Sequence, residues 1–208
     1  MSDKFSYKFI NSLKEENLKV LRSIPKSDLH NHFVLGGNRG YIKEVTGIEI
    51  PYYKSVLKSM NDMHNWNSRY LGERFNNRDM RKVLIDATFV QANLDGIKIL
   101  EIGEDVWGLG EFFNNDIEEL INTFMESNKK FAPKTELRLQ IGLSRHCSID
   151  YLLGCLDHFW GRKEFYSIDL YGDELAQPIE KFEPIYRKAK DNGLRLKAHV
   201  GEWGSADD

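Results

Sequence analysis

The sequence predicts an α/β protein of the TIM-type (β/α) barrel class, incomplete at about five of the eight strands that close such a barrel. From residue 97 onward, short β-rich runs alternate with longer amphipathic ones, the pattern of a parallel sheet or barrel. Histidines stand at the carboxyl ends of the first and last predicted strands, where barrels place their chemistry. The chain has 208 residues, and neither the stretch before Pro25 nor segment 50–77 reads as strand. A closed barrel typically needs about 250 residues and rarely fewer than about 200, so the remainder accommodates about five βα units.

The elements follow in order. Ser27-Asp28-Leu29-His30-Asn31-His32-Phe33 reads as the first strand. Segment 50–77 breaks the rhythm with Pro51-Tyr52-Tyr53, Met60, Met63, Trp66, Tyr70 and Phe75 among polar residues. It reads as helical padding on the barrel rim or as an apolar lid inserted over the pocket. A long helix is expected over 78–94, a strand over Ile97–Gly103 and a helix over 115–131. Next come a strand over Leu137–Leu143, a helix over 149–160 and a strand over Phe165–Leu170. A helix over 179–192, closed by a left-handed Asn192-Gly193 cap, leads to the last strand, Leu194–Val200. No repeat, low-complexity tract or hinge linker interrupts the chain, so residues 1–208 read as one domain.

At 41% hydrophobic and 29% charged the composition is that of a folded globular protein, which excludes general disorder. A net charge of −3 supplies no basic field for nucleic acid, leaving a small molecule as the expected partner. The start lacks a signal-peptide core, and no apolar run approaches the eighteen or so residues of a membrane span, so the chain reads as a cytoplasmic enzyme with no membrane partner. Cys147 and Cys155, eight residues apart around a predicted helix, read as buried small apolar residues or free thiols.

His30 and His32 carry the chemistry. A strand points alternate side chains to one face, so both imidazoles aim at one point and suggest a metal. Far downstream, Lys197-Ala198-His199-Val200-Gly201-Glu202 adds a third imidazole with a carboxylate three residues later. Three neutral ligands with an open position form the pattern of a catalytic rather than a structural zinc site. His64 lies in the irregular insertion and His158 on a helix beside Phe159-Trp160, so neither is expected as a ligand. His146 follows Arg145 at a strand end facing the same pocket and is expected to shape the substrate site rather than to ligate.

Four blocks together resemble the adenosine deaminase family, in the family's order and near its spacing. They are Pro25–His32, Leu143-Ser144-Arg145-His146, Ser167–Glu174 and Lys197–Ala206, and the resemblance extends from about residue 24 to the end. It implies one Zn2+ per site held by His30, His32 and His199, with Glu202 as the proton-transferring acid. It also implies that His32 borders the substrate and that the Gly172 backbone N–H meets a purine ring nitrogen. The implied reaction is hydrolytic: a metal-lowered water pKa, attack at C6 of a 6-aminopurine, proton donation by Glu202 and loss of ammonia. The implied ligand is a purine nucleoside or base.

Two departures from the family bear on this. Its usual ribose-binding acid, two residues after the second histidine, is Val34 here, and valine accepts no hydrogen bond. Adenosine thereby yields ground to another 6-aminopurine. The family's water-orienting histidine and its paired aspartates belong to strands six to eight, which this chain has no length to supply. Asp207-Asp208 follow the fifth strand too closely to replace them and read as solvated acids at a helix start. The expected protein is therefore the N-terminal portion of an adenosine-deaminase-like zinc hydrolase, with weak or no activity alone. A complementing chain or self-association would complete its site. A non-catalytic metal- or purine-binding relative, and a metallohydrolase of another substrate class closed by self-association, stand as alternatives.

Overall fold

The computed structural model describes residues 2–202. Asp207 and Asp208, expected to be solvated acids, lie outside the described residues. Five strands, β1 (Lys26–Asn31), β2 (Ile97–Asp105), β3 (Glu136–Ser144), β4 (Phe165–Tyr171) and β5 (Arg195–Ala198), pair in parallel in the order β1-β2-β3-β4-β5. A doubly wound sheet reverses its strand order midway, whereas this one never does. The sheet rolls in one direction into a curled half-barrel, as the sequence predicts.

Helices α1 (Ser2–Lys14) and α2 (Leu18–Ser23) precede the sheet. Short helices α3 (Phe33–Gly36) and α4 (Arg39–Thr46), α5 (Met60–Tyr70) and the long α6 (Arg78–Asp95) connect β1 to β2. Helices α7 (Gly108–Phe113) and α8 (Ile117–Phe131) connect β2 to β3, α9 (Ile149–Leu156) connects β3 to β4, and α10 (Glu183–Asp191) connects β4 to β5. Local signals set these boundaries. Asn77 caps α6 by accepting from Met80 N at 3.1 Å, and Asp116 caps α8 by accepting from Glu119 N at 3.0 Å. Glu118 and Glu119 at the start of α8, with Lys129 and Lys130 at its end, complement the helix dipole.

Strand alternation separates two faces. Leu100, Ile102, Ile141, Leu143, Ile168 and Leu170 point outward and are buried beneath the helices, against Phe89, Leu120 and Phe124. Burial of each such side chain contributes roughly 1.5–3 kcal/mol. The alternate residues, Glu101, Gln140, Ser167, Asp169, Lys197 and His199, lie on the concave face. On the helix side, Glu104 pairs with Arg81 of α6, whose guanidinium stacks 4.8 Å from the Phe33 ring and 4.2 Å from the Phe112 ring. That cluster fixes Phe33, only 1% exposed, and with it the end of β1.

Several boundaries differ from the sequence expectation: β1 ends at Asn31 rather than Phe33, and α9 at Leu156 rather than 160. β5 ends at Ala198, yet His199 N donates to Leu170 O at 2.8 Å and so extends the pairing to the site. The expected 179–192 helix divides into a 3-10 turn, Ile179–Phe182, and α10, because Pro184 begins a new helix in its first turn. The left-handed residue beyond α10 is Gly193 alone, at φ +79°, while Asn192 sits at φ −85°. In the 50–77 segment, Ile50, Leu71 and Phe75 are buried in the main core, so the insertion is anchored by packing. No helix among the described residues is long and apolar enough to cross a membrane.

Gly96 ends α6 at φ +72°, and a Cβ there would meet the Arg22 carbonyl oxygen at 2.0 Å. Gly96→Ala is expected to cost more than the about 1–2 kcal/mol of left-handed backbone strain alone. Urea unfolding measures this, and an unchanged midpoint would contradict the close packing of the end of α6 on the last turn of α2.

Candidate metal centre

His30 stands at the end of β1 and His32 one residue beyond, with its backbone still extended at φ −94°, ψ 98°. Extended backbone keeps the two imidazoles on one face, and their Nε2 atoms lie 2.7 Å apart. Asp28 pins this turn by accepting from His30 N at 3.2 Å and from Asn31 Nδ2 at 2.7 Å. From the opposite edge of the sheet, His199 brings its Nε2 to 3.0 Å from His30 Nε2. The structure thus gathers the three histidines singled out in the sequence.

A fourth member was not singled out. Asp169, on β4 and fully buried, places Oδ2 at 3.5 Å from His30 Nε2, 3.7 Å from His32 Nε2 and 3.4 Å from His199 Nε2. All four donor atoms lie within 4.8 Å of one another. Both carboxylate oxygens lack a hydrogen-bond partner, and a buried, unpartnered carboxylate is expensive without a positive charge beside it. Bonds of about 2.0 Å in a tetrahedral zinc site separate donor atoms by about 3.3 Å, near the 3.0–3.7 Å of four of these pairs, while His30 and His32 lie closer, at 2.7 Å. Three imidazoles and a carboxylate suit a first-row divalent ion such as zinc. The residues fit a metal.

Electrostatics point the same way. Burial, reinforced by the neighbouring His30, pushes the His32 pKa down to about 4, so its imidazole is neutral and able to ligate at physiological pH. Burial also lowers His30. It works against protonation of His199 too, but there the carboxylates of Asp169 and Glu202 prevail and raise the pKa. At Asp169, burial favours the neutral acid, yet the three surrounding imidazoles outweigh it and lower the pKa.

Glu202 Oε2 lies 2.8 Å from His199 Nδ1, the outer-side contact that orients an imidazole for metal binding through Nε2. The Glu202 carboxylate is 42% exposed, within reach of an incoming ligand. Glu174 accepts from the backbone N–H groups of Gly201 and Glu202, shaping the turn that carries this acid. Arg145 donates to Glu174 O at 2.9 Å and His199 O at 3.2 Å, bracing the ends of β4 and β5. Gly172 follows β4 at φ +101°, where an added Cβ would press on His146 and Ser144 at 3.3 Å. The Tyr171 ring meets His32 edge-on at 4.8 Å and Trp107 at 6.3 Å, forming an aromatic wall. Asp105 bonds to Tyr171, and burial together with the adjacent Glu104 raises its carboxyl to about 7. Among the described residues, the metal-competent group includes none of His64, His146 and His158.

Asp169 could have been found from sequence by strand alternation. In Ser167-Ile168-Asp169-Leu170 the polar residues share one face, and that face is the one bearing His199 on the next strand. In the metal-free chain, imidazole NMR should show His32 titrating near about 4 and His199 above the ordinary 6.5. His32 titrating at an ordinary value would contradict the buried, metal-ready arrangement.

No family model matches the chain. A curated relative, the putative adenosine/adenine deaminase of Treponema pallidum, is 24% identical over 191 residues, covering 92% of this chain and 64% of its own length. The adenine deaminase of Albidiferax ferrireducens is 26% identical over 213 residues, covering 94% and 60%. Among solved structures, an amidohydrolase from Burkhoderia ambifaria with bound Zn superposes at a TM-score of 0.66, with 18% identity over 88% of this chain and 53% of that one. The chain thus spans about three fifths of the length of the curated relatives it matches. Half-barrel, clustered histidines and curated relatives agree in a likeness to adenosine deaminase-like proteins.

Proposed function

We propose that this chain carries the metal-binding part of a zinc-dependent hydrolytic deaminase acting on a 6-aminopurine. The observation that carries the reading is the convergence of His30, His32 and His199 on the buried, unpartnered Asp169. These four side chains would hold the ion, and His32 would also border the substrate. A zinc ion there would supply a water of lowered pKa near neutral pH. Glu202 donates a proton to the purine ring nitrogen as C6 is attacked, so that negative charge does not build up on the ring. The Gly172 N–H binds a ring nitrogen and orients the base. Water adds at C6, the exocyclic amine leaves as ammonia, and a 6-oxopurine remains.

Val34 bears on the substrate. It packs against the core and offers no acceptor for a ribose hydroxyl, which favours the free base adenine over adenosine. The matched relatives carry both names, adenosine/adenine deaminase and adenine deaminase. By the family resemblance, the water-orienting histidine and the paired aspartates come from strands six to eight, supplied by further polypeptide or a second copy. Such groups are worth orders of magnitude in rate. The 208-residue chain alone should therefore bind zinc but turn over far below an ordinary kcat of about 1–1,000 per second.

Metal analysis and ammonia release from adenine and adenosine test both halves of the proposal. About one zinc per chain, lost in the His30→Ala, His199→Ala double variant, is the expected result. Full zinc occupancy in that variant would overturn the metal assignment. An ordinary kcat from the isolated chain that persists in Glu202→Gln would overturn the proposed proton transfer.

A further inference from the structure

Below the imidazoles, the concave face holds a charged layer where barrel interiors are commonly filled by branched apolar side chains. Lys197 lies two residues before His199 and thus on the same face of β5. Its ammonium has three N–H groups and meets three acceptors: the Leu29 carbonyl oxygen, Glu101 Oε2 at 2.6 Å and Gln140 Oε1 at 2.5 Å. These acceptors stand on β1, β2 and β3, so one side chain spans the concave face. Glu101, 5% exposed, also accepts from Ser167 Oγ at 3.3 Å and has Arg138 Nη1 at 3.9 Å.

β1 and β5 are the opposite edges of the sheet, and no backbone ladder joins them among the described residues. His30 and His199 nevertheless approach to 3.0 Å. The bond from Lys197 to Leu29 O ties the edges immediately before His30 on one side and two residues before His199 on the other. A productive metal constellation must be held to within about 0.5 Å.

We propose that Lys197 is a positioning residue that crosses the concave face to fix the separation of β1 and β5, and thereby the spacing of His30 and His199. The consequence for metal affinity rests on the metal reading above, while the strand-tying role does not. Without the ammonium, Leu29 O and Glu101 lose their shared donor, and nothing in the sheet ladder restores the approach of the two edges.

The test uses the full chain with Cys147 and Cys155 replaced and spin labels at Leu29→Cys and Leu196→Cys, positions 50% and 44% exposed on the two edge strands. In metal-free protein with Lys197 intact, the label-to-label distance distribution should be narrow. Lys197→Met should widen it or shift it outward, with Lys197→Arg recovering part of the order. In unlabelled protein, Lys197→Met should weaken zinc binding about 10- to 100-fold in chelator competition and alter the d–d spectrum of the cobalt-substituted site. A role in overall stability alone would lower the unfolding midpoint while leaving both readouts of the folded protein unchanged. Should Lys197→Met fail to fold, Lys197→Gln, too short to reach Leu29 O, carries the same expectations. An unchanged distance distribution in the folded variant would overturn the proposal, whatever the metal result. Absence of zinc binding with Lys197 intact would overturn the metal reading and leave the distance test to decide the strand-tying role.

Discussion

Three imidazoles can converge only if the first and last strands of this sheet, which share no ladder, come within a side chain of each other. That closure is the constraint on which the site depends, and sheet twist alone does not fix it to the accuracy a metal needs. Outside the sheet, the helices and the apolar face of each strand form a continuous core that keeps the curvature in place. On that same helix side, Phe33 anchored beneath Arg81 holds the end of β1, and the backbone bond from His199 N to Leu170 O holds the end of β5. The imidazoles meet because both strand ends are fixed independently and then joined across the concave face.

This arrangement places charge where apolar packing would be more stable. Removing charges from water costs several kcal/mol per ion after relaxation, and a buried ion pair recovers that only with good geometry and further hydrogen bonds. The Lys197 ammonium meets this condition, with every donor used. Asp169 does not, for its Oδ2 finds three imidazole nitrogens at 3.4–3.7 Å but no full hydrogen bond. Proteins break local packing rules chiefly at functional sites, and here the breach coincides with the one cluster competent to hold a cation among the described residues.

The sequence carried much of this in simple form. Period-two spacing made His30 and His32 share a face, and strand–helix alternation gave the parallel order, because both depend on local geometry that a few residues encode. Asp169 and Lys197 were written in the same alternation, in Ser167-Ile168-Asp169-Leu170 and Leu196-Lys197-Ala198-His199. Their significance depended on which strands lie opposite each other once the sheet curls, a non-local fact. Glu174 and Arg145 were hidden for a related reason, since they act through backbone groups of residues far along the chain. The division at Pro184 was visible in principle: proline is favoured in a first helical turn and breaks an interior one.

X-ray absorption at the zinc edge of the loaded 208-residue chain tests the central claim most directly. The account predicts a shell of nitrogen and oxygen at about 2.0–2.1 Å, with outer-shell scattering from three imidazoles that falls to two in His199→Ala. A sulfur shell near 2.3 Å, implicating Cys147 or Cys155, or fewer than three imidazoles with His30, His32 and His199 intact, would contradict it.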